Sequence, residues 1–289
     1  MASSGRVIGI TTGDARGIGP EVVRKALVSG RLNDSFGYRV IGDPSAATPH
    51  ASAQAAFAAL EEAARLAQAG EICAVVTGPV SKARMHEVGF DFPGQTEFFA
   101  ARWGARDYAM CLTGGALTVA LVTAHIPLRD VAAHLTAGEI VRTGRLLEAF
   151  SKLRLGRKVR LAVAGLNPHA GESGDLGREE IEIIEPAVAR LKESTSAEWS
   201  GPHSPDTLFH RTVAGDFEGV LCMYHDQGLI PLKLHAFDSG VNVTLGLPHP
   251  RTSPDHGTAF DIAGRGMARP DSMIAAINLA AELVLKADR

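Results

Sequence analysis

The sequence predicts an α/β protein with a mainly parallel sheet, doubly wound so that helices cover both faces. Three observations carry this. Short apolar runs alternate with helical patterns along the whole chain. The runs are continuous rather than alternating, as in strands buried on both faces. Several of them end in clusters of Gly, Pro and polar residues, the punctuation of βα units.

Val7 to Thr11 reads as the first strand. Gly13-Asp14-Ala15-Arg16-Gly17-Ile18-Gly19-Pro20-Glu21 then makes a glycine-rich turn, with Pro20 suited to the first turn of a helix through Leu27. Such a turn can face backbone N–H groups towards an anion. It matches neither G-x-G-x-x-G nor a Walker A sequence, and a plain tight turn is an equal reading. Tyr38 to Gly42 is a second strand, and Ser52 is expected to cap a helix over 53–69, which Gly70 stops. Ile72 to Val76 is an apolar run ending in Thr77-Gly78-Pro79-Val80-Ser81-Lys82, and Gln95 or Thr96 starts a helix. Leu117 to Thr123 is a strand with His125 beyond it, and Thr136-x-x-Glu139 is a capping box for a helix through Phe150. Val159 to Leu166 leads into Asn167, Pro168 and His169, and a helix over 178–193 is expected to be interrupted near Pro186. A helix begins at Ser204-Pro205-Asp206, Val220 to Met223 is a buried strand ending in His225, Asp226 and Gln227, and 271–287 is an amphipathic helix.

Composition narrows the function classes. With 45% hydrophobic and 21% charged residues the chain is of ordinary globular make-up. A formal charge of −3 supplies no field for nucleic acid or an anionic membrane. No run spans a bilayer, and the Met1–Arg6 start lacks the apolar region of a signal peptide. Cys73, Cys111 and Cys222 have no zinc-type spacing and read as buried free thiols, which points to the cytoplasm.

His125, His169 and His225 each follow a separate buried strand, and in a parallel sheet such ends converge on one edge. Three neutral imidazoles suit a divalent transition metal; ordinary hydrogen-bonding histidines are the competing reading. Lys233, Asn242 and Arg251 lie in one compact segment and suit a small anionic substrate carrying carboxylate or phosphate, though each alone reads as a surface or turn residue.

The chain resembles the 4-hydroxythreonine-4-phosphate dehydrogenase (PdxA) family. The matching stretches are Gly13-Asp14…Glu21, Thr77 to Lys82, Gly94 to Phe98, Leu166 to Glu172, Leu176-Gly-Arg-Glu-Glu180, Asp206 to Phe209, Met223 to Gly228 and Val241 to Gly257, in family order. The resemblance implies a metal (Zn, Co, Mn or Mg) on His125, His169 and His225, at a homodimer interface to which both subunits contribute. It sets Thr96, Lys233, Asn242 and Arg251 against the substrate, with Asp206 and Asp226 as acidic residues near the site. It implies NAD(P)-linked oxidation of a secondary alcohol followed by loss of carbon dioxide. Lys233 then polarises the substrate or relays a proton.

Asp255 to Gly266 is similar to the cofactor loop of isopropylmalate and isocitrate dehydrogenases, which implies their fold, two lobes around a cleft, and places His256, Gly257, Thr258 and Asp261 at the dinucleotide. Asp261 would accept from ribose hydroxyls and repel a 2′-phosphate, favouring NAD over NADP. The expected lobes are 1–90 with 225–289 on the cofactor side, and 91–224 for dimerisation and the metal. Departures from the family are Gln95 where His is usual, Asp14-Ala15-Arg16 where Asp-Pro-Ala is usual, and an abbreviated 42–70 segment. They leave open D-threonate or D-erythronate 4-phosphate, or a cyclic dihydroxy-diene acid, as substrate. Remoter readings are acyl transfer to phosphate and a non-catalytic binding homologue.

Overall fold

Strand β1 (Val7–Thr11) is flanked on both sides by parallel neighbours, so its apolar residues are buried, Ile8 and Ile10 completely. The computed structural model describes residues 6–288; the sequence expectation for the Met1–Gly5 start lies outside the described residues. The chain continues through α1 (Gly19–Leu27), β2 (Gly37–Ile41), α2 (Pro49–Gln68), β3 (Ala74–Thr77), α3 (Lys82–His86) and α4 (Gln95–Arg102). Next come β4 (Ala109–Gly114), β5 (Leu117–Leu121), α5 (Val131–His134), α6 (Ala137–Leu155), β6 (Arg160–Ala164) and α7 (Glu185–Ser194). After these follow β7 (Glu198–His203), α8 (Pro205–Val213), β8 (Gly219–Cys222), α9 (His225–Ala236), β9 (Val241–Leu245), β10 (Arg251–Pro254) and α10 (Asp271–Ala287).

The chain divides into two compact units, one running to Arg106 and resuming at Val241, the other Asp107–Gly240. The boundaries expected from sequence were 90/91 and 224/225; the segment His225 to Gly240 instead packs with the second unit. The first unit has strand order β2-β1-β3-β10-β9, parallel except for the β9–β10 pair. The second has order β4-β5-β8-β6-β7, with only β4 antiparallel to its neighbour. Each is the mainly parallel, helix-covered sheet that the sequence predicts.

Local chemistry explains most boundaries. In α2, Ala56, Leu60, Ala63 and Ala67 recur at helical spacing and are buried against the sheet side. Its cap is Thr48, whose hydroxyl accepts from the Ala51 N–H at 3.1 Å, with Pro49 in the first turn. The expected cap, Ser52, lies inside the helix and donates its hydroxyl to Asp14 at 2.6 Å. Thr136 caps α6 as predicted, and Gly156 ends it in the left-handed conformation. The interruption expected near Pro186 occurs as a π-helical turn (Glu180–Ile184) that runs directly into α7. Pro186 has no N–H for the preceding turn and its ring crowds the carbonyl four residues back, so the α-helical ladder is broken there.

An aromatic cluster fills the first unit. Phe98 stacks on Phe90 with centroids 5.6 Å apart and meets Phe99 edge-on at 5.1 Å. Burying each such ring is worth about 1.5–3 kcal/mol, which holds α4 and hence Gln95 and Thr96 in place. In the second unit α9 closes directly on the sheet at Gly228, where a Cβ would lie 3.1 Å from both Cys222 Sγ and a Leu121 methyl. Cys73, Cys111 and Cys222 are all free thiols; Cys111 and Cys222 are buried and Cys73 is half-buried. Among the described residues no helix is long and apolar enough to cross a membrane.

Candidate active site

Arg251, the first residue of β10, is 3% exposed. Its Nη2 donates to Thr77 Oγ1 at 2.5 Å and to Gln95 Oε1 at 2.9 Å, and Nη1 donates to Thr244 Oγ1 at 3.3 Å. All three acceptors are neutral. Nε finds no partner among the described residues, nor do the buried Asn242 Oδ1 and Glu97 Oε2. Burial pushes the guanidinium down to about 10, opposed by the charge of Glu97, so Arg251 remains cationic at neutral pH. The group also lies 5.9 Å from the centroid of Phe99.

The sequence builds this pocket from strand alternation and one helix start. Asn242 and Thr244 fall two apart on β9 and so share a face. Thr77 ends β3, which pairs with β10. Gln95 and Thr96 open α4, with Gly94 in extended conformation before them. Gln95 is tied at both ends, since its Nε2 also donates to the Gly78 carbonyl at 3.2 Å. Thr96 Oγ1 lies 3.2 Å from Thr244 Oγ1. The structure therefore links Gln95 and Arg251 directly and Thr96 through Thr244, with Thr77 as a further partner of Arg251, while Asn242 shares a strand face with Thr244. The signal for Thr77 was its place at the carboxyl end of an apolar run; Thr244 carried none beyond its alternation with Asn242.

In the second unit His125, His169 and His225 follow β5, β6 and β8, three adjacent parallel strands. Their carboxyl ends lie side by side, as the topological reading requires. The rings of His125 and His225 have centroids 5.7 Å apart, near enough for one ion about 2 Å from a nitrogen of each. His225 Nδ1 lies 2.6 Å from Asp226 Oδ1, which leaves Nε2 available as a ligand, the usual carboxylate–imidazole support of a metal site. Among the described residues no three His, Cys, Asp or Glu stand together as a ready metal cage. The donor chemistry fits a divalent transition ion, and within one chain the set is open.

His169 sits in an unusual turn. His169, Ala170, Gly171, Glu172 and Ser173 all have positive φ, between 44° and 81°. Left-handed backbone costs non-glycine residues roughly 1–2 kcal/mol each, so other contacts must hold the turn. Asp206, at the start of α8, is held below the usual carboxylate range chiefly by the Ser204 hydroxyl, which donates to it at 2.6 Å. Lys233 lies on α9, a little over two turns and ~12 Å along an ideal helix from His225. The sequence did not foresee this helix, because Gly228 and Pro231 interrupt its pattern.

The segment from Asp255 to Gly266 is folded onto the first motif. Thr258 O accepts from the Ile18 N–H at 2.9 Å. The buried carboxylate of Asp14 accepts from the Arg16 N–H at 3.0 Å and from Arg84 at 3.1 Å, and Arg84 lies 4.0 Å over the Phe260 ring. The glycine-rich turn thus encloses the carboxylate of Asp14 and meets the loop through the Ile18 N–H. Gly257 and Asp261 are exposed, while His256 and Thr258 are half-buried. The departure at Arg16 has a local use: its Nη1 donates to the Ala47 carbonyl in the abbreviated segment at 2.5 Å.

Comparison with known proteins agrees with this geometry. Residues 30–280 match the family described as pyridoxal phosphate biosynthetic protein PdxA. The chain is 50% identical over 234 residues to the 4-hydroxythreonine-4-phosphate dehydrogenase of Caulobacter vibrioides, covering 78% of this chain and 70% of that protein. It is 42% identical to the Zymomonas mobilis enzyme of the same name, covering 95% and 94%. That alignment spans 317 positions against 289 residues here, so the relative carries stretches that this chain lacks. The crystal structure of 4-hydroxythreonine-4-phosphate dehydrogenase from Klebsiella pneumoniae superposes with a TM-score of 0.82 at 35% identity, covering 96% of this chain and 99% of that one. Isocitrate dehydrogenase from Methylococcus capsulatus, at 18% identity and a TM-score of 0.55, shares the fold. With a family match over most of its length and relatives at this level of identity, the chain belongs to the PdxA family of 4-hydroxythreonine-4-phosphate dehydrogenases.

Proposed function

We propose that this chain oxidises the secondary alcohol of 4-hydroxythreonine-4-phosphate, with Arg251 as the anchor of the phosphate. Membership of the family makes it an NAD-linked, metal-dependent oxidoreductase of a CH–OH group with a decarboxylation step. The observation that carries the phosphate assignment is a buried guanidinium with neutral acceptors and an unused Nε. A buried charge in such surroundings is costly until an anion joins it, and a planar donor fork suits phosphate oxygens.

His125, His169 and His225 would hold a divalent ion, which would supply Lewis acidity for the substrate hydroxyl, and a bound NAD would supply the hydride-accepting chemistry. The remaining work belongs to side chains. Thr96 and Asn242 orient the substrate beside Arg251. Asp226 holds His225 in the tautomer that presents Nε2. Lys233 Nζ relays the proton leaving the hydroxyl, and Asp206 keeps negative charge next to His169. The loop residues His256, Gly257, Thr258 and Asp261 are assigned to the dinucleotide, with Asp261 accepting from ribose hydroxyls and favouring NAD.

We further propose a homodimer whose second copy completes the histidine set. Its support is an apolar stripe on α9, the helix that begins with His225: Ile230, Leu234 and Phe237 are 65%, 88% and 71% exposed at helical spacing. Three free cysteines fit a reducing compartment, so we place the protein in the cytoplasm.

The test is NADH formation at 340 nm with Zn²⁺, Mn²⁺, Co²⁺ or Mg²⁺ added, comparing 4-hydroxythreonine-4-phosphate with D-erythronate 4-phosphate and with a non-phosphorylated cyclic dihydroxy-diene acid. Turnover of the first well above the others is expected. Turnover confined to the non-phosphorylated acid would overturn the Arg251 assignment.

A further inference from the structure

Glu180 belongs to a sequence motif, Leu176 to Glu180, that the reaction does not use, yet it is among the most buried charged residues, 1% exposed. It opens the π-helical turn before α7. Its Oε1 accepts from the Leu166 N–H at 2.7 Å and from the Asn167 N–H at 2.8 Å, and its Oε2 accepts from Asn167 Nδ2 at 2.9 Å. Asn167 Nδ2 also donates to Glu179 Oε2 at 2.7 Å, so both amide N–H groups lie between two carboxylates. Asn167 O then accepts from the Ala170 N–H at 3.1 Å, closing the turn that carries His169. The left-handed turn wraps this carboxylate closely. A Cβ on Gly171 would lie 2.6 Å from Glu180 Oε2, and one on Gly165 would lie 3.2 Å from Oε1.

We propose that Glu180 is the positioning residue of the metal site: its carboxylate holds the strained 169–173 turn and so sets the reach of His169 for a divalent ion. The inference rests on the reading of His169 as a ligand. Two acceptor oxygens are required because every group that faces them is an N–H donor. A glutamine would turn its own amide N–H towards Asn167 Nδ2, donor against donor, and Asn167 would have to rotate away from Glu179 to relieve it. The turn, relieved of its anchor, would relax from the left-handed region and carry the imidazole with it.

The experiment measures Zn²⁺ affinity of the full chain by competition with a chromophoric chelator, and the visible spectrum of the Co²⁺-loaded protein. E180Q, nearly isosteric, is expected to bind Zn²⁺ roughly 10–100-fold more weakly, the range for lost outer support of a ligand. Its Co²⁺ bands should shift or weaken, while the far-ultraviolet circular dichroism is unchanged. E180D, which keeps the charge and shortens the reach, should fall between E180Q and the parent. A folded E180Q with parental Zn²⁺ affinity and Co²⁺ spectrum would overturn the proposal. H169A separates the two readings. If H169A loses Zn²⁺ and E180Q does not, only the role of Glu180 fails; if H169A keeps parental affinity, the ligand assignment fails and the proposal with it.

Discussion

In the first unit the charge proposed to bind the anion is buried and already held. Arg251 is 3% exposed, and two threonines and a glutamine fix both of its terminal nitrogens before any ligand arrives. In the second unit the proposed ligands follow strand ends, His225 as the first residue of α9; its side chain is 33% exposed, and one carboxylate orients it. The proposed anion site draws on side chains of neighbouring strands and the start of α4, so its geometry comes with the sheet and that helix. The proposed metal site draws on segments just beyond strand ends, so its geometry depends on what holds those segments. Substitutions in the first unit should therefore change recognition of the phosphate, and substitutions in the second should change metal binding and turnover together.

The sharpest test of that contrast pairs H169A with R251A. H169A should lose turnover on the order of 10³-fold or more along with metal affinity, while retaining binding of inorganic phosphate. R251A should keep parental Zn²⁺ affinity and lose kcat/KM by about 10²–10³-fold, as when one partner of a buried charged contact is removed. Isothermal titration with Zn²⁺ and with phosphate, beside steady-state kinetics, reads both. Equal loss of phosphate binding in the two variants would break the comparison.

A smaller effect is expected at Gln95. Its amide oxygen accepts from the cationic Arg251, and its amide nitrogen donates to the neutral Gly78 carbonyl. Q95A should raise KM for the phosphorylated substrate by roughly 10–100-fold with little change in kcat, the worth of a hydrogen bond to a charged group. A large fall in kcat would instead give Gln95 a part in the chemical step.

The smallest effect concerns pH and compares both units at once. Burial holds His203 in the second unit and His249 in the first below the usual imidazole value. The fold therefore keeps both neutral, and the unfolded chain takes up their protons first as pH falls below about 6.5. Stability from this source is fully present above that pH and is lost as pH falls towards the lowered folded values. Urea midpoints should decline modestly from pH 7 to pH 5.5, and H203N should flatten part of that slope. An unchanged slope in H203N would remove His203 from the account.

Much of the fold was legible because its signals are local. Apolar runs mark β1, β3, β5, β6 and β8, Thr136 marks the start of α6, and histidines after strands mark one sheet edge. What was missed lacks such signals. β7 contains Gly201 and Pro202 and pairs within its unit only with β6, so it needs no continuous apolar run. In α9, Gly228 and Pro231 hide the helical period, yet the glycine is what permits close contact with β5 and β8.

The sequence by itself determined the alternation of elements, the residues at the ends of the strands and the family to which they belong. Each of these follows from the order of residues within a few turns or strands, where periodicity and turn chemistry act. Only the tertiary structure decided which groups share a pocket. Thr77, Gln95, Thr244 and Arg251 come from four separate elements, and Ser52 and Arg84 converge on Asp14 from two others. Glu180 meets Leu166 and Asn167 across a turn that no local preference favours. Such meetings depend on burial, where a polar group must find its partners wherever in the chain they lie.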